Sequence, residues 1–119
     1  PKFLNICLQI ESNHKPEILM KKFKNIEKKM QRKKGKKNYP RTCDIDIIDY
    51  NGKLIKSKDL IIPHPRAHLR NFVLFPLYEI SKKWIHPFFN KKIEFLINDL
   101  KLNLKNEITK IKESVTINK

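Results

Sequence analysis

The sequence predicts a single α+β domain, and three observations carry that expectation. Residues 3–11 and 41–50 alternate apolar and polar side chains and are rich in β-branched types, as strands are. Between them Leu19, Phe23, Ile26 and Met30 recur at three- and four-residue spacing, the stripe of a helix laid on a sheet. Beyond residue 93, Ile97, Leu100, Leu104, Ile108, Ile111 and Val115 repeat at helical spacing, although Leu100, Leu102 and Leu104 also alternate as a strand would. With 119 residues there is room for one domain, and 39% apolar residues with seven Phe, three Tyr and one Trp give it material for a core.

Taken in order, residues 3–11 (Phe3, Leu4, Ile6, Cys7, Leu8, Ile10) read as the first strand. Residues 13–16 supply a turn, and Pro16 stands at an early helical position, where its missing N–H costs nothing. The helix then runs to about Arg32. The segment KKGKKNYP, residues 33–40, has four Lys, Gly and Pro but no periodicity, and so reads as an exposed, mobile loop. Residues 41–50 form the next strand, and Asn51-Gly52 signals a tight turn into a short second strand at 54–55. Residues 60–62 lead into Pro63-His64-Pro65, whose prolines enforce an irregular path. A helical turn is expected at 66–70. The run NFVLFPL, residues 71–77, fits an apolar strand or the end of a helix equally well. No internal repeat is present.

The chain carries 27 Lys+Arg against 12 Asp+Glu, a net charge of +15. Only Arg32, Arg41, Arg66 and Arg70 are Arg, and an excess of Lys, Asn and Ile of this kind can come from AT-rich coding, so the net charge by itself is weak evidence for any partner. Between Lys15 and Arg41 twelve basic residues face only Glu17 and Glu27, a local excess that suits a polyanion but also a solvated helix face with a mobile loop. Cys7 and Cys43 lack metal-ligand spacing and sit among alternating apolar residues, so buried thiols are expected. His14, His64, His68 and His86 form no ligand pair of the HExxH type. No apolar run approaches the ~18–20 residues of a membrane span, and no leader is visible, so the expectation is a soluble, cytoplasmic protein. The chain begins at Pro1 without an initiator Met and enters at once on an apolar run, which suggests a fragment that lacks its beginning.

The chemistry concentrates at Asp44 and Asp46. In extended chain, residues i and i+2 project from one face, so both carboxylates converge while Ile45 and Ile47 turn to the core. Hard oxygen donors in that pattern suit Mg²⁺, which keeps waters and substrate phosphates as its other ligands. An edge strand with two solvated Asp would give the same alternation. Arg41 immediately upstream and His64, Arg66, His68 and Arg70 downstream bracket the pair with cationic donors, the layout of a nucleotide–metal site. No GxxxxGK[ST] is present, so a P-loop is excluded for this segment.

The stretch from Glu27 to Arg32, then PRTCDIDIIDY (residues 40–50) and IIPHPRAHLRNFVLFPLYEI (residues 61–80), resembles the 6-hydroxymethyl-7,8-dihydropterin pyrophosphokinase family of folate biosynthesis. The resemblance covers residues 1–88. It implies a ferredoxin-like α/β sandwich whose N-terminal strand and helix are missing, with the family domain over residues 1–90 and a helical C-terminal tail over 91–119. It also implies transfer of pyrophosphate from ATP to the pterin hydroxymethyl oxygen, giving AMP. By motif, Asp44 and Asp46 would hold two Mg²⁺ ions, with Arg32, Arg41, Asp44 and Asp46 as the catalytic set. Glu27, Lys34, Arg41, Ile47, His64 and Arg70 would bind ATP, and a surface helix carboxylate is the alternative for Glu27. Asn5 would bond the pterin's polar edge, and Phe3 and Phe72 would stack on its two faces, ordinary core being the alternative for both Phe. The expected partners are small molecules bound by a monomer, not nucleic acid or membrane. Departures from the family pattern fall at Gln31, Asn38 and Pro65. The reading from another class is a small basic RNA-binding protein without catalytic activity, which accounts for the charge but not for Asp44, Asp46 and His64.

Overall fold

The computed structural model describes residues 4–34 and 43–117, with side chains for 4–31 and 43–106. Among the described residues there are three helices, α1 (Pro16–Lys34), α2 (Asn71–Ile80) and α3 (Ile93–Ile117), and a 3₁₀ turn at Ala67–Leu69. Four two-residue strands, β1 (Ile55–Lys56), β2 (Ile61–Ile62), β3 (Ile85–His86) and β4 (Lys91–Lys92), form two antiparallel pairs, β1 with β2 and β3 with β4. The chain divides into two compact units, one of residues 10–65 and one of residues 1–9 with 66–119. No helix among the described residues is long and apolar enough to cross a membrane.

In the unit of residues 10–65, α1 starts where Pro16 placed it, after a turn in which the Ser12 hydroxyl accepts the His14 N–H at 3.0 Å. The Lys15 carbonyl takes the N–H groups of Ile18 and Leu19, closing the first turn. The buried line of α1 departs from the expected stripe. Leu19 is buried and Phe23 half-buried, but Ile26 and Met30 are exposed, and the next buried position is Glu27. Leu19, Phe23 and Glu27 are spaced by four, so the inward face follows the i, i+4 row straight to a carboxylate.

The strand expected at 41–50 is not one over its described part. Residues 43–49 carry no ladder, and residues 41 and 42 lie outside the described residues. The Asn51-Gly52 turn forms, with positive φ at both positions (50° and 68°) and the Lys53 N–H on the Tyr50 carbonyl at 3.0 Å. It does not join two strands. The hairpin lies one step later, with Ile55 opposite Ile62 and Lys56 opposite Ile61, closed by the Ser57 N–H on the Leu60 carbonyl at 2.9 Å. Leu60 and Ile62 bury the side chains that anchor it. The Ile62-Pro63 peptide is cis.

Residues 4–11, of which 4–9 belong to the other unit, likewise form no strand. Leu4, Ile6, Leu8 and Ile10 are all exposed, Leu4 at 90%, and alternation becomes a strand only when a neighbour supplies the ladder, which the described residues do not. The run 71–77 resolves as helix, with Val73, Leu74 and Leu77 buried on one side of α2. α2 packs on α3, whose Ile93, Leu96 and Ile97 are buried, and the 3₁₀ turn adds the fully buried Ala67. The apolar face of α3 is half-buried at Leu100 and already exposed at Leu104. β3 and β4 frame a four-residue turn in which the His86 Nδ1 accepts the N–H groups of Phe88 and Phe89, each at 3.2 Å.

Candidate active site

The expected metal ligands lie on the segment 43–49. Asp44 and Asp46 are exposed, whereas Ile45 and Ile47 between and after them are half-buried, the alternation an extended chain produces. Bonds at Ile45, Ile48 and the adjoining Tyr50 help to tie this ladderless segment down. The Ile45 N–H donates to the Glu27 Oε1 at 2.7 Å, the His64 N–H donates to the Ile48 carbonyl at 3.3 Å, and the Tyr50 hydroxyl donates to the His14 carbonyl at 2.7 Å. Asp49 also folds inward, its Oδ2 accepting the Gly52 N–H at 3.3 Å across the turn.

Glu27 is therefore no surface carboxylate. It is 8% exposed, and its second oxygen pairs with Lys24 at 3.5 Å. That ion pair lies half in water and contributes little by itself; the bond to Ile45 is short, charge-assisted and shielded. His64 sits half-buried at the Pro63-His64-Pro65 bend, and Asp44, Asp46, Ile47 and His64 all belong to the unit of residues 10–65. Among the described residues no group of three or more His, Cys, Asp and Glu is arranged to hold a metal ion. Two carboxylates are the donor set on offer.

Of the residues expected at the pterin and the triphosphate, Asn5, Arg70 and Phe72 belong to the other unit. Asn5 is exposed. Arg70 precedes α2, and its guanidinium carbon lies 5.4 Å from the centre of the Phe72 ring. Phe72 is 45% exposed, so it is not core, and its ring is open to contact. Phe3 and Arg41 lie outside the described residues, as do the side chains of Arg32 and Lys34 and most of the Lys-rich loop.

Both cysteines are free and half-buried, less enclosed than expected. The Cys7 thiol donates to the Val73 carbonyl at 3.8 Å, and burial raises its pKa, which keeps it protonated. The aromatic cluster of His68, Trp84, His86 and Phe89 was not expected from the sequence. Its members are scattered over residues 68–89 with no common period.

Residues 1–82 match the family described as 7,8-dihydro-6-hydroxymethylpterin-pyrophosphokinase (HPPK). The chain belongs to this family. It is similar to a folic acid synthesis protein of Dictyostelium discoideum, 44% identical over 87% of this chain and 15% of that protein. It is also similar to the 2-amino-4-hydroxy-6-hydroxymethyldihydropteridine pyrophosphokinases of Aquifex aeolicus and Synechocystis. The first is 39% identical over 77% of this chain and 58% of the relative, the second 36% over 84% and 51%. The chain thus spans little more than half the length of these two pyrophosphokinases.

Proposed function

We infer that the protein transfers pyrophosphate from ATP to 6-hydroxymethyl-7,8-dihydropterin, forming AMP and the pterin diphosphate in folate biosynthesis. The observation that carries this reading is the family match over residues 1–82, inside which Asp44 and Asp46 stand exposed on one side of an anchored segment. Residues 1–90 form part of a ferredoxin-like sandwich, followed by a C-terminal extension over 91–119, and the protein works as a cytoplasmic monomer on small molecules.

Two exposed carboxylates at i and i+2 fit Mg²⁺, which takes few protein oxygens and leaves the rest of its octahedron to water and phosphate. Asp44 and Asp46 would hold two such ions. When bound, Mg²⁺ supplies charge neutralisation and alignment for an in-line displacement. The hydroxymethyl oxygen attacks the β-phosphorus and gives up its proton to water, and the bond from the β-phosphorus to the oxygen shared with the α-phosphate breaks, so that AMP leaves. Arg32, Lys34, Arg41, His64 and Arg70 donate charge-assisted hydrogen bonds to the triphosphate, and Ile47 gives the nucleotide an apolar contact. Asn5 orients the pterin between the rings of Phe3 and Phe72. The RNA-binding alternative leaves Asp44, Asp46 and His64 without a role, and no observation favours it.

The full-length protein, given ATP, Mg²⁺ and the pterin, is expected to release AMP only when all three are present. Asp46→Ala is expected to lower the rate on the order of 10²–10³-fold by removing a charge-organising ligand. Undiminished turnover in that variant would overturn the metal assignment.

A further inference from the structure

Glu27 has no evident reason to be buried if its task is to touch a nucleotide. A carboxylate on the inward row of α1 costs stability unless its oxygens are engaged. Here one oxygen takes the Ile45 N–H at 2.7 Å and the other takes Lys24. Ile45 is the residue between the two aspartates. Segment 43–49 has no β-ladder among the described residues, so its backbone direction rests on point attachments, and the bond to Glu27 holds the residue that stands between Asp44 and Asp46. Further attachments act at Ile48 and Tyr50, beyond it.

We propose that Glu27 is the positioning residue of the aspartate pair. By fixing the amide of Ile45 against a rigid helix, its carboxylate holds Ile45 inward and so turns Asp44 and Asp46 outward together. Rotation of that peptide would carry the two carboxylates apart, and a misplacement of about 1 Å at reacting groups costs on the order of 10²-fold in rate. Glu27 thereby acts on Mg²⁺ and the triphosphate through the backbone and not by contact. The assignment rests on the pyrophosphokinase reading for its kinetic consequence and on the Glu27–Ile45 geometry alone for its structural one.

The test compares Glu27→Ala, which removes the acceptor, with Glu27→Gln, which keeps a carbonyl oxygen for the Ile45 N–H and loses only the charge. In the full-length protein, Glu27→Ala is expected to lower kcat on the order of 10²-fold and to raise the Mg²⁺ concentration needed for half-maximal rate, and Glu27→Gln to stay within about tenfold of the parent. Hydrogen exchange at the Ile45 amide, read without substrates, is expected to be slow in the parent and in Glu27→Gln and fast in Glu27→Ala. A rise in KM for ATP with kcat and Mg²⁺ requirement unchanged would overturn the proposal in favour of direct nucleotide contact. Equal defects in Gln and Ala, or fast Ile45 exchange in the parent, would overturn it as well. If the parent protein makes no AMP, the functional reading fails while the exchange measurement still decides the anchor; loss of all amide protection in Glu27→Ala marks unfolding, and Glu27→Gln then carries the test.

Discussion

The Tyr50 hydroxyl lies 2.7 Å from the His14 carbonyl, joining the end of the aspartate segment to the turn that begins α1. The two residues are thirty-six positions apart in sequence, and the bond closes the loop that contains all of α1. Since Tyr50 is half-buried and His14 exposed, the bond competes with water, and its net contribution falls in the lower part of the usual range. Tyr50→Phe is expected to lower stability by about 0.5–1 kcal/mol in urea titration, with the helix content unchanged.

The α2–α3 contact should be far more sensitive. Leu74 is fully buried, as Val73 and Leu77 on its own helix nearly are, and deletion of its Cγ and two Cδ methyl groups leaves a cavity. Leu74→Ala is expected to cost about 2–5 kcal/mol, whereas Leu102→Ala, at a position 56% exposed on α3, should cost less than about 0.5 kcal/mol. Chemical denaturation of the two variants side by side checks the difference.

His68 gives the fold a pH dependence of known sign. Burial first, and then the Lys91 ammonium, lower its pKa from the ordinary 6.5, and its Nδ1 is enclosed without a hydrogen-bond partner among the described residues. The rings of His86 and Phe89 lie against it at 5.6 and 4.6 Å. Because the unfolded chain binds the proton more readily, the contribution of neutral His68 is fully present above its unfolded pKa and is lost as pH falls through the folded one. Melting temperature should therefore fall as pH is lowered from above the ordinary His pKa of 6.5 through the folded value, and His68→Phe should flatten that fall. An unchanged slope in the variant would exclude His68 as its source.

Local signals in the sequence located helix starts and turns, because they depend on one or two residues. Pro16 opens α1 and Asn51-Gly52 adopts positive φ, each where its own backbone preference puts it. The alternation of Asp44 and Asp46 with Ile45 and Ile47 also shows in their exposure. Strands were less legible, since pairing is a property of two segments. Residues 4–11 and 43–49 have the pattern without the ladder, while the short pair β1–β2 has the ladder with little pattern. The run 71–77 was ambiguous because Pro76 interrupts an apolar series too short to show its period, and packing on α3 makes it a helix. The inward turn of Glu27 was visible only as a four-residue spacing from Leu19 and Phe23; hydrophobicity pointed to Ile26 and Met30 instead.

The most direct measurement follows the phosphorus atoms. With ATP labelled separately at the β and γ positions, Mg²⁺ and 6-hydroxymethyl-7,8-dihydropterin, transfer of pyrophosphate as a unit predicts both labels in the pterin product, in equal amounts, with unlabelled AMP as the only nucleotide formed. Appearance of ADP with the γ label alone on the pterin, or of free pyrophosphate with none, would contradict the account.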